Sequence, residues 1–120
     1  MRKRILVLDD DPAVLEIVKE VLSYEKYEVK VTSESGNFID LVKTYRPDLV
    51  ILDYKHHGPD GDKLCRQIKT NTLLFEIPVI ICSAYIRNDE ILTCGCDAVI
   101  AKPFGLTELM EKVNGLVYCD

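Results

Sequence analysis

The sequence predicts an α/β fold, a doubly wound five-stranded parallel sheet in the order 2-1-3-4-5, and three features of the chain carry that prediction. Five short apolar runs alternate with stretches of helical period. Four of the runs lack polar alternation, as expected of strands covered on both faces. The runs end in residues that carry chemistry: Asp9-Asp10, Asp53, Ser83 and Lys102-Pro103. Helices interleaved with buried strands imply right-handed crossovers and a parallel sheet.

Taken in order, the first run is Ile5-Leu6-Val7-Leu8. Asp11-Pro12 then reads as a helix N-cap followed by proline at the first helical position, so a helix should start at once. Its apolar stripe is expected at Ala13, Val14, Ile17, Val18, Val21 and Leu22. Val29-Lys30-Val31 alternates, which marks an edge strand. Phe38, Leu41, Val42 and Tyr45 form the next helical stripe, before the buried run Leu49-Val50-Ile51-Leu52. Leu64, Cys65 and Ile68 recur at helical spacing, followed by the strands Val79-Ile80-Ile81-Cys82 and Ala98-Val99-Ile100-Ala101. Leu109, Met110, Val113, Leu116 and Val117 complete a final helix. Between Ser83 and Gly95 the segment Ile86-Arg87-Asn88-Asp89-Glu90-Ile91-Leu92 has room for about two helical turns, so the fourth helix should be short.

At 120 residues, nearly half of them apolar, the chain suits one compact domain over residues 1–120. A net charge of -5, with both signs interspersed, offers no footprint for direct nucleic-acid binding or for a membrane surface. The run after Arg2-Lys3-Arg4 is too short for a signal peptide, and a membrane helix needs ~20 apolar residues. The five cysteines, Cys65, Cys82, Cys94, Cys96 and Cys119, are odd in number and sit mostly in apolar or helical contexts, which suits a reducing, cytoplasmic compartment. Cys94-Gly95-Cys96 has the wrong spacing for a Cys-x-x-Cys site.

In a doubly wound sheet, ligands bind outside the carboxyl ends of the strands where the strand order reverses. With the first and third strands adjacent, Asp9, Asp10 and Asp53 should share that crevice. Carboxylates gathered there repel by ~1 kcal/mol per pair in water and by several times that inside protein. A hard divalent cation relieves the conflict, and magnesium suits a site with few carboxylates and several retained waters. Lys102 adds a positive charge for a phosphoryl oxygen and Ser83 a hydroxyl donor, so the set fits phosphoryl transfer to an aspartate. Individually, Asp11 is explained as a cap, and a strand-end Asp or Ser as a turn residue.

These residues resemble the response-regulator receiver domains of two-component signal transduction, of the chemotaxis-receiver-like, flavodoxin-like type. The likeness is carried by Ile5-Leu6-Val7-Leu8-Asp9-Asp10-Asp11-Pro12, Pro47-Asp48-Leu49-Val50-Ile51-Leu52-Asp53, Asp60-Gly61, Pro78-Val79-Ile80-Ile81-Cys82-Ser83-Ala84 and Lys102-Pro103-Phe104. The resemblance implies that Asp53 is the phosphoacceptor. It further implies that Asp9, Asp10, Asp53 and the backbone carbonyl of Lys55 hold Mg2+, or Mn2+ in its place. Ser83, the backbone of Ala84 and Lys102 would bind the phosphoryl group, with Ser83 switching conformation, and the bond before Pro103 would be cis. The implied partners are a sensor histidine kinase or phosphotransfer protein and a downstream effector, with homodimerisation through the fourth and fifth helices allowed.

Three departures from the family pattern qualify this reading. Val99 stands where an aromatic switch residue is common, so the output change is expected in the loop after Ser83 and the fourth helix. The Ser83 to Lys102 interval is shorter than usual. Lys55-His56-His57-Gly58-Pro59 replaces a common Met-Pro pair, and His56 and His57 could tune a pH response or meet a transition metal. Two rival readings stand beside the receiver: an unphosphorylated pseudo-receiver, and a haloacid-dehalogenase-like phosphatase built on Asp9-Asp10-Asp11. The second lacks a later acidic metal-binding pair, since Lys102 is followed by Pro103-Phe104-Gly105. A receiver is not a turnover enzyme, because it catalyses transfer only onto its own aspartate and the slow loss of that group.

Overall fold

A computed structural model describes residues 2–54, 61–84 and 93–118. Within them the chain runs β1 Arg4–Leu8, α1 Pro12–Tyr24, β2 Glu28–Thr32, α2 Phe38–Tyr45, β3 Leu49–Asp53, α3 Gly61–Lys69, β4 Val79–Ser83, β5 Ala98–Ala101 and α4 Leu106–Val117. The short helix expected over residues 86–92 lies outside the described residues, as do Lys55, His56 and His57. The five strands form one parallel sheet in the order β2-β1-β3-β4-β5, as the sequence predicts. No described helix is long and apolar enough to cross a membrane.

Two apolar layers explain why the central runs do not alternate. Leu6 and Leu8 of β1, Val50 and Leu52 of β3, and Val79 and Ile81 of β4 pack with Phe38, Val42, Leu64 and Ile68 from α2 and α3. The intervening residues Ile5, Val7, Leu49, Ile51, Ile80 and Cys82 face the other way, onto Leu15, Val18 and Leu22 of α1 and Leu109 and Val113 of α4. Both faces are thus buried, and each enclosed Leu or Ile side chain contributes roughly 1.5–3 kcal/mol.

α1 begins as expected. Asp11 is extended, its Oδ1 accepts the Ala13 N–H at 2.9 Å, and Pro12 follows at the first helical position. The buried stripe, however, is rotated from the expected one. Leu15, Val18 and Leu22 are buried, Val14 and Val21 partly so, while Ala13 is exposed and Ile17 is 46% exposed. With eight apolar positions in thirteen residues, α1 allows two overlapping stripes. Contact with β1 and α4 selects the one that contains Leu15.

β2 is an edge strand with exposed Glu28 and Lys30, as its alternation indicates. β5 is the other edge although its run does not alternate. Its Val99 packs on the α2/α3 layer and Ile100 on the α1/α4 layer, so both faces are covered and only its outer backbone side is an edge. α2 ends at Arg46, which adopts the left-handed conformation with φ 54° while its N–H donates to the Val42 carbonyl at 3.0 Å.

Candidate functional site

Register places the acidic residues. Leu8 of β1 lies opposite Leu52 of β3, so Asp9 and Asp53, the next residues on each strand, leave the sheet side by side. β4 brings Ser83 beside Ala101 of β5, immediately before Lys102. The Lys102 N–H donates to the Ser83 carbonyl at 2.9 Å, which fixes the start of the final loop against β4. The Lys102–Pro103 peptide bond is cis, as the family likeness implies.

Asp9, Asp53 and Ser83 are all buried, at 4%, 8% and 2% exposure. The Lys102 ammonium bridges the two carboxylates, with its Nζ 2.9 Å from Asp9 Oδ2 and 2.8 Å from Asp53 Oδ1. Burial by itself would lower the lysine's pKa, but the hydrogen bonds and charges of Asp53 and Asp9 outweigh it, and the net shift is upward from 10.5. Lys102 is therefore a fixed cation between two buried anions.

Asp9 also has a local role that its sequence position does not announce. Its Oδ1 accepts the Asp11 N–H at 2.9 Å, closing the turn that lets Asp11 cap α1. Asp10 lies between them and is partly buried, and Ala84 is exposed just past β4. Val99 is partly buried opposite Ile81, consistent with a core role. Beneath the pocket, burial raises the Cys82 thiol to about 12 despite the opposing pull of Lys102, so it is a poor nucleophile at neutral pH.

One further residue, Gly61, shapes the site without having been singled out for it. A Cβ at Gly61 would lie 2.6 Å from the Asp53 carbonyl oxygen, so only glycine lets α3 approach β3 this closely. Its signal was present as the Asp60-Gly61 pair, but the contact is tertiary. Asp62 follows in the first turn of α3, buried at 3% exposure, and among the described residues its Oδ1 has no hydrogen-bond partner. Nothing in the chain's periodicity distinguishes it from a solvated helix-start carboxylate.

The donor set fits a hard cation: Asp9 and Asp53 offer carboxylate oxygens at one buried point, and Asp10 adjoins them. In the structure Lys102 supplies the neutralising charge. Among the described residues no three histidine, cysteine or acidic side chains are grouped closely enough to hold a metal.

An acidic pair and a lysine at the switch point of a 2-1-3-4-5 parallel sheet define a flavodoxin-like α/β domain with its charged site outside the strand ends. Comparison with known proteins then gives the family. Residues 5–114 match the family model described as the response regulator receiver domain, and the chain belongs to that family of two-component signalling. It is 34% identical over 120 residues to the response regulator MprA of Mycolicibacterium vanbaalenii, covering 98% of this chain and 51% of that protein. The chain thus spans about half the length of the curated relatives it matches.

Solved structures agree on the fold. A response regulator from Chloroflexus aurantiacus superposes with a TM-score of 0.91 at 26% identity over 98% of both chains. The receiver domain of a sensor histidine kinase from Pseudomonas aeruginosa, solved with a magnesium ion coordinated in its active-site cleft, superposes at 0.87 with 22% identity, again over 98% of both chains.

Proposed function

We propose that residues 1–120 act as one phosphoacceptor receiver, in which Asp53 takes a phosphoryl group from the phosphohistidine of a sensor histidine kinase or phosphotransfer protein in the cytoplasm. The observation that carries this reading is the buried Lys102 bridge between Asp9 and Asp53, which is arranged for an anion that develops at Asp53. In the transfer the phosphorus–nitrogen bond of the donor breaks and a bond from an Asp53 carboxylate oxygen to phosphorus forms. The donor imidazole leaves with the electron pair. Asp9, Asp10, Asp53 and the Lys55 carbonyl would hold Mg2+, or Mn2+, which supplies charge neutralisation for the transferring group.

The chain's own residues do the rest. Lys102 leaves the Asp9 carboxylate and turns to a phosphoryl oxygen. The Ser83 hydroxyl and the Ala84 backbone N–H donate to the others. The added charge of roughly -1.5 to -2 then biases the segment that follows Ser83 toward a second state. Val99 has no ring to swing inward, so it remains part of the core while that segment carries the output to an effector. The domain turns over no external substrate, and it requires neither nucleic acid nor a membrane for this chemistry.

Incubation with magnesium and acetyl phosphate, followed by intact-mass analysis, tests the assignment. A labile adduct of one phosphoryl group should form on the parent protein and be absent from Asp53→Ala. An equal adduct on that variant, or none on the parent, would overturn it.

A further inference from the structure

At the opposite end of β3 from Asp53, about 13 Å away along the strand, lies an open cleft of about 280 Å³ lined by Arg2, Lys3, Arg4, Arg46 and Asp48. Two of these five residues build its frame. Asp48 Oδ2 accepts the Arg4 backbone N–H at 2.8 Å, and the Asp48 N–H donates to the Arg4 carbonyl at 2.7 Å. The Arg4 guanidinium is committed as well: Nη1 donates to the Tyr45 carbonyl at 2.9 Å, Nε pairs with Glu28 at 3.1 Å, and the group sits 5.5 Å over the Tyr45 ring.

The other three are cations without a committed partner. Among the described residues Arg2, Lys3 and Arg46 make no ion pair and no side-chain hydrogen bond, whereas Arg4, Lys69 and Lys102 are all paired. Arg46 reaches the cleft from the left-handed backbone position at the end of α2, where glycine or asparagine is the easier residue. In a chain of net charge -5, folding brings Arg46 to the same concavity as the neighbouring cations Arg2 and Lys3.

We propose that this cleft binds a small polyphosphate anion. Asp48 is the one carboxylate in a lining that holds four cationic residues, and an anion with more than one charge offsets the repulsion among them. Guanidinium forks match pairs of phosphate oxygens, which favours phosphate groups over halide or a single carboxylate. The Asp48 carboxylate and the acidic remainder of the surface disfavour a long polyanion that would extend beyond the cleft. The phosphate groups could be those of free pyrophosphate or of a nucleoside diphosphate, and the two share this chemistry.

The test is a nuclear magnetic resonance titration of the metal-free full chain with pyrophosphate, with ADP, and with sulfate at matched ionic strength. Saturable amide shifts centred on residues 2–4 and 46–48 are expected with pyrophosphate. Arg46→Asn, which suits the left-handed backbone, should weaken binding at least fivefold, and the Arg2→Ala/Lys3→Ala pair should do the same should Arg46→Asn fail to fold. ADP binding tighter than pyrophosphate identifies a nucleotide as the source, and equal binding identifies the phosphates alone. Shifts reproduced by sulfate, shifts centred on Asp53 and Lys102, or affinity unchanged in the variants would each overturn the proposal.

Discussion

Lys102 holds two buried carboxylates at 2.9 and 2.8 Å, so its removal takes away the cation that bridges them. Lys102→Met should therefore destabilise the fold by about 2 kcal/mol, less than a fully buried pair because a quarter of the lysine side chain is exposed. Adding Asp53→Asn to that variant should recover part of the loss, since it removes one of the repelling charges. Urea denaturation of the two variants and the parent measures both effects, and strict additivity would show that the three groups are not coupled. Gly61→Ala tests the close approach of α3 at the same scale. A methyl group 2.6 Å from the Asp53 carbonyl oxygen forces the backbone to shift, with an expected cost of about 2–3 kcal/mol and slower adduct formation at Asp53.

Elements were legible in the sequence to the degree that local chemistry determines them. Asp11-Pro12 dictates the start of α1 because the cap and the proline act within one turn, and Asp11→Ala should cost about 1 kcal/mol in thermal or urea unfolding. The five strands could be read from their apolar runs, and the strand-end positions of Asp9, Asp53, Ser83 and Lys102 followed from the topology. Which stripe of α1 turns inward could not be read, because Ile17 and Leu15 are equivalent apolar residues until β1 and α4 are in place. For β5 the predicted strand order gives the edge position although its run does not alternate. The Lys102 bridge and the Gly61 contact join residues far apart in the chain, so residue type alone announced their chemistry but not their geometry.

At the scale of the whole molecule, elements distant in the chain are joined by tyrosines whose ionisation the fold resists. The Tyr27 hydroxyl donates to Asn114 Oδ1 and so fastens the turn before β2 to α4, and its ring meets that of Tyr118. Burial, with help from Tyr118 and Glu25, raises Tyr27 to about 12. Burial likewise raises Tyr45 to about 12, with Glu28 adding to the shift and Arg4 opposing it. Between pH 10 and 12 each tyrosine keeps its proton in the native state while the unfolded chain, titrating near 10, loses it. The unfolded state then binds fewer protons, so stability is fully present below pH 10 and falls as pH rises from 10 toward 12. Lys102, also raised, acts in the same direction above 10.5, because its protonated form is the one held by Asp9 and Asp53. The expected slope approaches, but stays below, about 1.4 kcal/mol per pH unit for each tyrosine. Tyr27→Phe should lose about 1 kcal/mol at neutral pH with its hydrogen bond and show a shallower alkaline decline than the parent. Urea unfolding at pH 8, 10 and 11 separates the two effects, and parallel declines for parent and variant would exclude Tyr27 as a source of the slope.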